Sequence, residues 1–305
     1  MRTVTRIALG TTRSVRGRCS PAMAIARMNH TSSINPDEIA HFSRLSASWW
    51  DEQGEFGLLH KMNPVRMQFI RDKLLEISHE EDAENVHNGG ILEGKDALDV
   101  GCGGGLLSES LARLGARTLG VDASLSNINI ASLHASSDHW LNGLEYRHMP
   151  AEDLVKAGRQ FDIVCSMEVI EHVDNPANFL RSLAHLVKQP GGHLFMSTIA
   201  RTPLSYFLTI FMAERALRLV TPGTHTYSKF INPSELLEFF QEDLGWLSRS
   251  YHGTPSRTEA EIQGIAYLPW KGAWALLPKT TPGSMECNYM FWARKPLQDD
   301  GKHTT

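Results

Sequence analysis

Two hydrophobic periods alternate along the middle of this chain. Short apolar runs at about 96–100, 117–121, 144–148, 161–166 and 193–198 predict strands. Segments at 105–114, 124–135 and 176–188, with apolar residues every three or four positions, predict helices between most of them. Pro176 suits a first helical turn, and Gly191-Gly192 ends the last of these helices. Upstream, Asn35-Pro36-Asp37 reads as a helix start, with Ile39, Phe42, Leu45 and Trp49 along one face. Pro64 to Ile77 reads as a second amphipathic helix. Downstream, Asn288 to Arg294 alternates as a strand does and is expected to close the sheet antiparallel. Strand and helix in alternation predict an α/β fold, a doubly wound and mostly parallel sheet covered on both faces. Its ligands belong at the carboxyl ends of the strands.

Two stretches break the pattern. Residues 79–90 are acidic and turn-rich, which predicts a surface insertion without a functional role. Thr202 to Ala213 carries no charge and contains Leu204, Tyr206, Phe207, Leu208, Ile210, Phe211 and Met212; Arg215 and Arg218 follow. It is shorter than the ~20 apolar residues of a membrane span. Such a segment, within an insertion at 201–230, either covers a binding site or touches a membrane surface.

Composition narrows the class. With 305 residues and 42% hydrophobic content, the chain has material for one sizeable core. Cys19, Cys102, Cys165 and Cys287 are scattered without metal or disulfide spacing, which suits a reducing compartment. Residues 1–36 hold Arg2, Arg6, Arg13, Arg16, Arg18 and Arg27, many Ser and Thr, and no acid. That is the composition of a mitochondrial transit peptide, the alternative being a basic tail that binds polyanions. The remainder carries 24 basic and 34 acidic residues, and no nucleic-acid partner is expected for it.

Chemistry concentrates at three strand ends. The first strand runs into Asp99-Val-Gly101-Cys-Gly103-Gly-Gly, and the second ends at Asp122, about twenty residues on. Gly101 and Gly103 let the backbone approach a ligand closely, and Asp122 is placed to accept ribose hydroxyls. This is an adenosine-binding βαβ unit. The dinucleotide fingerprint wants a further glycine where Leu106 stands, and Asp99 beside the loop suits a cationic ligand better than a diphosphate. A nicotinamide-dependent oxidoreductase is the rival reading. Cys102, inside the loop, reads as a packing residue rather than a nucleophile. Asp153, after the third strand, reads on its own as a solvated loop carboxylate. After the fourth strand come Glu168, Glu171 and His172, two carboxylates and an imidazole able to hold Mg²⁺ or a similar divalent ion. Proton abstraction by His172 is the other role open to that cluster.

The loop pattern resembles motif I of the class I S-adenosylmethionine-dependent methyltransferases. In many of those enzymes an acid at the point where Asp153 stands receives the adenine amino group, which makes Asp153 the candidate for it. Phe42-Ser-Arg-Leu-Ser-Ala-Ser-Trp-Trp-Asp, Gly54-Glu-Phe-Gly-Leu-Leu-His-Lys-Met-Asn-Pro-Val-Arg, Met167-Glu-Val-Ile-Glu-His-Val and Gly223-Thr-His resemble, more narrowly, the ubiquinone biosynthesis O-methyltransferase family. The likeness runs from about residue 37 to 295. It implies a seven-stranded Rossmann-like domain over 37–298, and methyl transfer from S-adenosylmethionine to catechol oxygens of polyprenylated ubiquinone precursors. It also implies cofactor contacts by Arg66, Gly101, Asp122 and Met167, and a divalent metal at Glu168, Glu171 and His172. The expected place is the matrix side of the mitochondrial inner membrane, as a peripheral protein in a complex with other enzymes of ubiquinone synthesis. Another small-molecule methyltransferase, or a non-catalytic S-adenosylmethionine-binding scaffold, are the alternatives.

Overall fold

The structure, a computed structural model, describes residues 33–81, 90–141, 143–248 and 255–297. The transit segment expected at 1–36, Cys19 included, lies outside the described residues except for its last four positions. Most of the acidic stretch at 79–90 lies outside them too.

Helix α1, Pro36–Leu45, starts as its sequence demands: the Asn35 side chain accepts from the N–H groups of Asp37 and Glu38 at 2.9 and 3.0 Å. Helix α2 runs Gly57–Glu81. It begins seven residues before the start that Pro64 suggested. Met62, Val65, Phe69, Ile70, Leu74 and Ile77 bury one face of it, and this packing carries the helix through the proline.

The alternating elements follow as β1 Asp96–Val100, α3 Leu106–Arg113, β2 Arg117–Asp122, α4 Leu125–Ala135 and β3 Leu144–His148. Then come α5 Ala151–Lys156, β4 Ile163–Met167, α6 Pro176–Leu186 and β5 His193–Ile199. A helical turn, α7 Pro203–Ser205, continues into a π-helix at Tyr206–Ala216. A second such pair is α8 Pro233–Glu238 with a π turn at Phe239–Asp243. The chain closes with β6 Ala260–Leu268, β7 Ala273–Leu276 and β8 Asn288–Arg294.

The sheet order is β3-β2-β1-β4-β5-β8-β6-β7. The first five are parallel, and β8 pairs antiparallel with β5 as expected. There are eight strands where seven were expected. Six were read from the hydrophobic pattern; the two beyond them form a β6–β7 hairpin at the edge, so that β8 does not close the sheet, and their residues are mostly half-buried and carry little of the alternation that marks a strand. Side chains of the central strands alternate between two cores. Leu98, Val164, Leu194, Met196, Tyr289 and Phe291 pack toward α5, α6 and α8; Ala97, Ile163, Cys165, Phe195, Met290 and Trp292 pack toward α2 and α3. Lys73 is buried beneath that second core. Its Nζ pairs with Glu76 at 2.6 Å and with Glu261, and lies 4.8 Å from the Trp292 ring centroid. It ties α2 to β6.

The order reverses between β1 and β4, so a crevice opens at their carboxyl ends. The predicted chemistry converges there.

Candidate active site

A cavity of about 590 Å³ lies over that crevice. Arg66, Asp99, Gly101, Gly103, Asp122, Met167, Glu168, Glu171 and His172 all line it. Eight of the nine residues expected to bind or react are thus brought together, with Asp99 beside them. Asp153 is not. Its carboxylate turns outward to Lys156 Nζ at 2.7 Å, while Ala151 and Glu152 of the same turn line the cavity. Glu152 accepts from Ser33 N–H at 3.3 Å.

The glycine loop is a cradle built for close approach. Gly101 and Gly103 sit at φ +73° and +53°, where other residues are strained. A Cβ on Gly101 would meet Val169 at 2.6 Å, and one on Gly103 would strike the Trp49 ring. Trp49 stacks on Phe56 with centroids 3.8 Å apart and donates from Nε1 to Asn127 at 3.0 Å. Trp50 donates to the Gly104 carbonyl at 3.0 Å. The paired tryptophans therefore clamp the loop, a role the sequence did not disclose. Cys102 is buried, and burial pushes its thiol well above its ordinary range, which agrees with packing.

Asp122 stands across from the loop. Oδ2 accepts from Gly103 N–H at 2.9 Å, and Oδ1 from Ser124 N–H at 2.7 Å and Asn127 Nδ2 at 3.3 Å. Burial raises its pKa, and these three bonds oppose the rise. Asp99 is likewise pushed up to about 6 by burial, against a 2.6 Å hydrogen bond from Ser108 and the charge of Arg66.

Arg66 is the buried cation of the site. Its Nη2 lies 4.0 Å from Glu168 Oε1, too far for a hydrogen bond, and among the described residues neither its Nε nor its Nη2 has a hydrogen-bond partner. Burial lowers its pKa, while Glu168, Asp99 and Glu171 hold the charge in place. Two unpaired guanidinium donors inside a cavity fit a ligand carboxylate.

Beyond β4 the backbone reverses sharply. Glu168 adopts φ +56°, an uncommon conformation for such a side chain, and leads into a 3₁₀ turn at Ile170–His172. Glu171 points inward, accepting from Thr198 Oγ1 at 2.9 Å. Burial and then the neighbouring Glu168 charge push it up to about 8. One oxygen on each of Glu168 and Glu171 is buried without a partner. His172 leans the other way, its Nδ1 3.1 Å from Glu38 Oε2. Burial would raise the Glu38 carboxyl, but the hydrogen bonds and charges of His172 and Lys229 outweigh it and hold it low. The three-ligand cluster expected at 168, 171 and 172 is thus not assembled: the turn sends the glutamates and the imidazole to different partners. Among the described residues no three His, Cys, Asp or Glu side chains converge as ligands of one metal ion.

The charge-free segment forms the roof. Phe207, Leu208 and Met212 of the π-helix, with Leu217 and Leu219, line the cavity. Phe207 and Phe211 stack on each other and remain about half exposed at 48% and 47%. Among the described residues no helix is long and apolar enough to cross a membrane.

Comparison with known proteins agrees with this geometry. A methyltransferase-domain family profile matches residues 58–246. The mitochondrial ubiquinone biosynthesis O-methyltransferase of Schizosaccharomyces pombe is 43% identical over 271 residues, spanning 88% of this chain and 89% of its own. The ubiquinone biosynthesis O-methyltransferase of Acinetobacter baylyi is 47% identical over 212 residues, 69% of this chain and 82% of its own. Among solved structures, phosphoethanolamine N-methyltransferase 1 of Haemonchus contortus, in complex with phosphoethanolamine and S-adenosylhomocysteine, superposes with a TM-score of 0.50. It is 14% identical and covers 91% of this chain and 53% of its own, a likeness of fold alone.

Proposed function

This chain belongs to the ubiquinone biosynthesis O-methyltransferase family, and from that premise we propose how its cavity methylates a catechol oxygen of a polyprenylated ubiquinone precursor. One observation carries the reading. A single cavity joins a cofactor half (Arg66, the glycine loop, Asp122) to an acceptor half (Glu168, Glu171, His172) beneath an apolar roof.

S-adenosylmethionine is the methyl donor. Arg66 receives its carboxylate, Asp99 faces its positive charges, the glycine loop admits its backbone-hugging portion, and Asp122 accepts from its ribose. Met167, at the end of β4, packs beside it. A phenol, with an ordinary pKa near 10, is a poor nucleophile until it loses its proton. His172 lies in the acceptor half with Nδ1 held by Glu38, which leaves Nε2 as the acceptor for that proton. The oxygen lone pair then forms the O–CH₃ bond as the C–S bond breaks, and S-adenosylhomocysteine leaves. Alignment of oxygen, carbon and sulfur by the two halves supplies much of the rate.

A divalent ion belongs to the same proposal. The unpartnered oxygens of Glu168 and Glu171, two of the three expected ligands, support it without His172, and such an ion would lower the pKa of a catechol hydroxyl. Membrane docking is proposed for the roof. Its exposed Leu204, Phe207, Leu208 and Phe211, followed by Arg215 and Arg218, suit an anionic headgroup boundary and would collect a water-insoluble substrate there. The arginine-rich N-terminus and the mitochondrial relative support residence on the matrix side of the inner membrane, together with other enzymes of the same synthesis.

The test is radiolabelled methyl transfer to short-prenyl and long-tailed catechols, with and without chelator. Transfer to the short-prenyl catechol is expected. Chelator abolishes it, and persistence in metal-free protein would leave His172 as the sole activator. Phe207→Glu with Phe211→Glu spares the short-prenyl acceptor and loses both vesicle binding and the long-tailed one. Equal loss on both acceptors would make the segment a lid only.

A further inference from the structure

Gly223-Thr224-His225 follows the roof and takes no part in the chemistry so far, yet Thr224 and His225 line the cavity. What holds the tripeptide is a buried glutamate from the π-helix. Glu214 Oε2 accepts from Gly223 N–H at 2.8 Å; Oε1 accepts from His225 N–H at 2.8 Å and from His225 Nδ1 at 2.7 Å. Glu214 is only 2% exposed. These three bonds fix the loop, the ring and its tautomer together. With Nδ1 donating to the carboxylate, Nε2 is the ring nitrogen left to meet a ligand.

The arrangement repeats that of His172. Each imidazole lines the same cavity, and each has Nδ1 against a carboxylate, Glu38 in one case and Glu214 in the other. Their ring centroids lie 6.2 Å apart at an interplanar angle of 41°. Two acceptor nitrogens on neighbouring, rigidly held rings complement a ligand with two adjacent hydroxyl donors. A monohydroxy ring would leave one of them unpaired.

Resting on the catechol reading above, we propose that His225 orients the acceptor by taking the hydrogen bond of the hydroxyl beside the reacting one. His172 then faces the oxygen that is methylated, and His225 decides which oxygen that is. Because Glu214 sits on the roof helix, ordering of the roof and orientation of the ring are one event.

Two substitutions separate this role from simple stapling of the loop. Asn places its amide near the Nδ1 position and keeps a donor for Glu214; Gln reaches the Nε2 position and keeps a partner for the substrate. His225→Asn is expected to bind S-adenosylmethionine as the wild type does. It should lower kcat/KM for a short-prenyl catechol about tenfold, the factor one hydrogen bond supplies, and give a mixture of the two monomethyl isomers. His225→Gln should retain most of the isomer preference. On the matching monohydroxy ring, wild type and His225→Asn should differ by less than about twofold. Wild-type selectivity in His225→Asn overturns the proposal, and so does equal loss in both variants, which would reduce His225 to a staple. A wild-type chain that methylates no dihydroxy acceptor overturns the underlying reading as well, and is recognised before any substitution is made.

Discussion

Replacing Asp122 with Asn changes one atom, and the hydrogen bonds around it say what that does. An ionised carboxylate offers about four acceptor positions. Three are taken by Gly103 N–H, Ser124 N–H and Asn127 Nδ2, which leaves about one for a ribose hydroxyl. An amide must turn its NH₂ toward one side. Facing Ser124 and Asn127 it would oppose two donors, so it settles toward Gly103 and opposes one. The ligand then meets a neutral amide where a carboxylate stood. A hydrogen bond to a charged group contributes about 1.5–3 kcal/mol, so affinity for S-adenosylmethionine should fall roughly tenfold to a hundredfold. Stability of the free protein should fall less. The lost bond to Gly103 is partly offset because burial, which raises the Asp122 pKa, no longer opposes a charge. Calorimetric titration gives the first quantity and denaturant unfolding without ligand the second. Affinity within about twofold of wild type, in protein of wild-type stability, would remove Asp122 from the cofactor site.

Arg66→Met removes two buried donors that have no partner among the described residues, so S-adenosylmethionine affinity should drop at least about tenfold by titration; a smaller loss would place the carboxylate elsewhere. Asp99, with its pKa raised from 3.8 to about 6, holds its proton in the folded chain after the unfolded chain has released it. Its stabilising contribution is complete below about pH 4 and is lost as pH rises through about 6, while ionisation strengthens binding of a cationic donor. Asp99→Asn should flatten both the unfolding midpoint and the donor affinity between pH 4.5 and 7.5, and an unchanged slope would show that another group titrates. Lys73→Met leaves half-buried Glu261 with Lys279 alone, at 2.7 Å, and should cost about 1–3 kcal/mol in urea unfolding. Adding Glu261→Gln should cost less than the sum of the two single changes, since the groups are in contact.

Elements with local signals were legible. The Asn35 cap, β3 at Leu144–His148 and β8 at Asn288–Arg294 fall where the pattern put them, because capping and alternation are written in neighbouring residues. The glycine loop and Asp122 were legible for the same reason: a βαβ unit brings its own two strand ends together. Where burial decides, the pattern misled. Pro64 looked like a start because proline favours first turns, yet seven residues before it are helical on the strength of tertiary packing. Asp153 directly follows Glu152 on α5, yet only Glu152 lines the cavity; an acidic pair on a short helix does not announce which member faces inward.

The residues that complete the acceptor half were hidden by distance along the chain. Glu38 reaches His172 across 134 residues, and nothing near either position marks the pair. A Glu-x-x-Glu-His string invites one shared ligand, but the positive φ at Glu168 and the turn after it divide the cluster between Thr198 and Glu38. The roof shows the converse. An uncharged stretch bordered by arginines was visible, but a buried acid within it was indistinguishable from a solvated one. Glu214 is an ordinary helix residue until the loop at Gly223–His225 folds back onto it. Only then does a charge in an apolar segment have a reason to be there: the side chain carried by the roof helix holds an imidazole against the cavity.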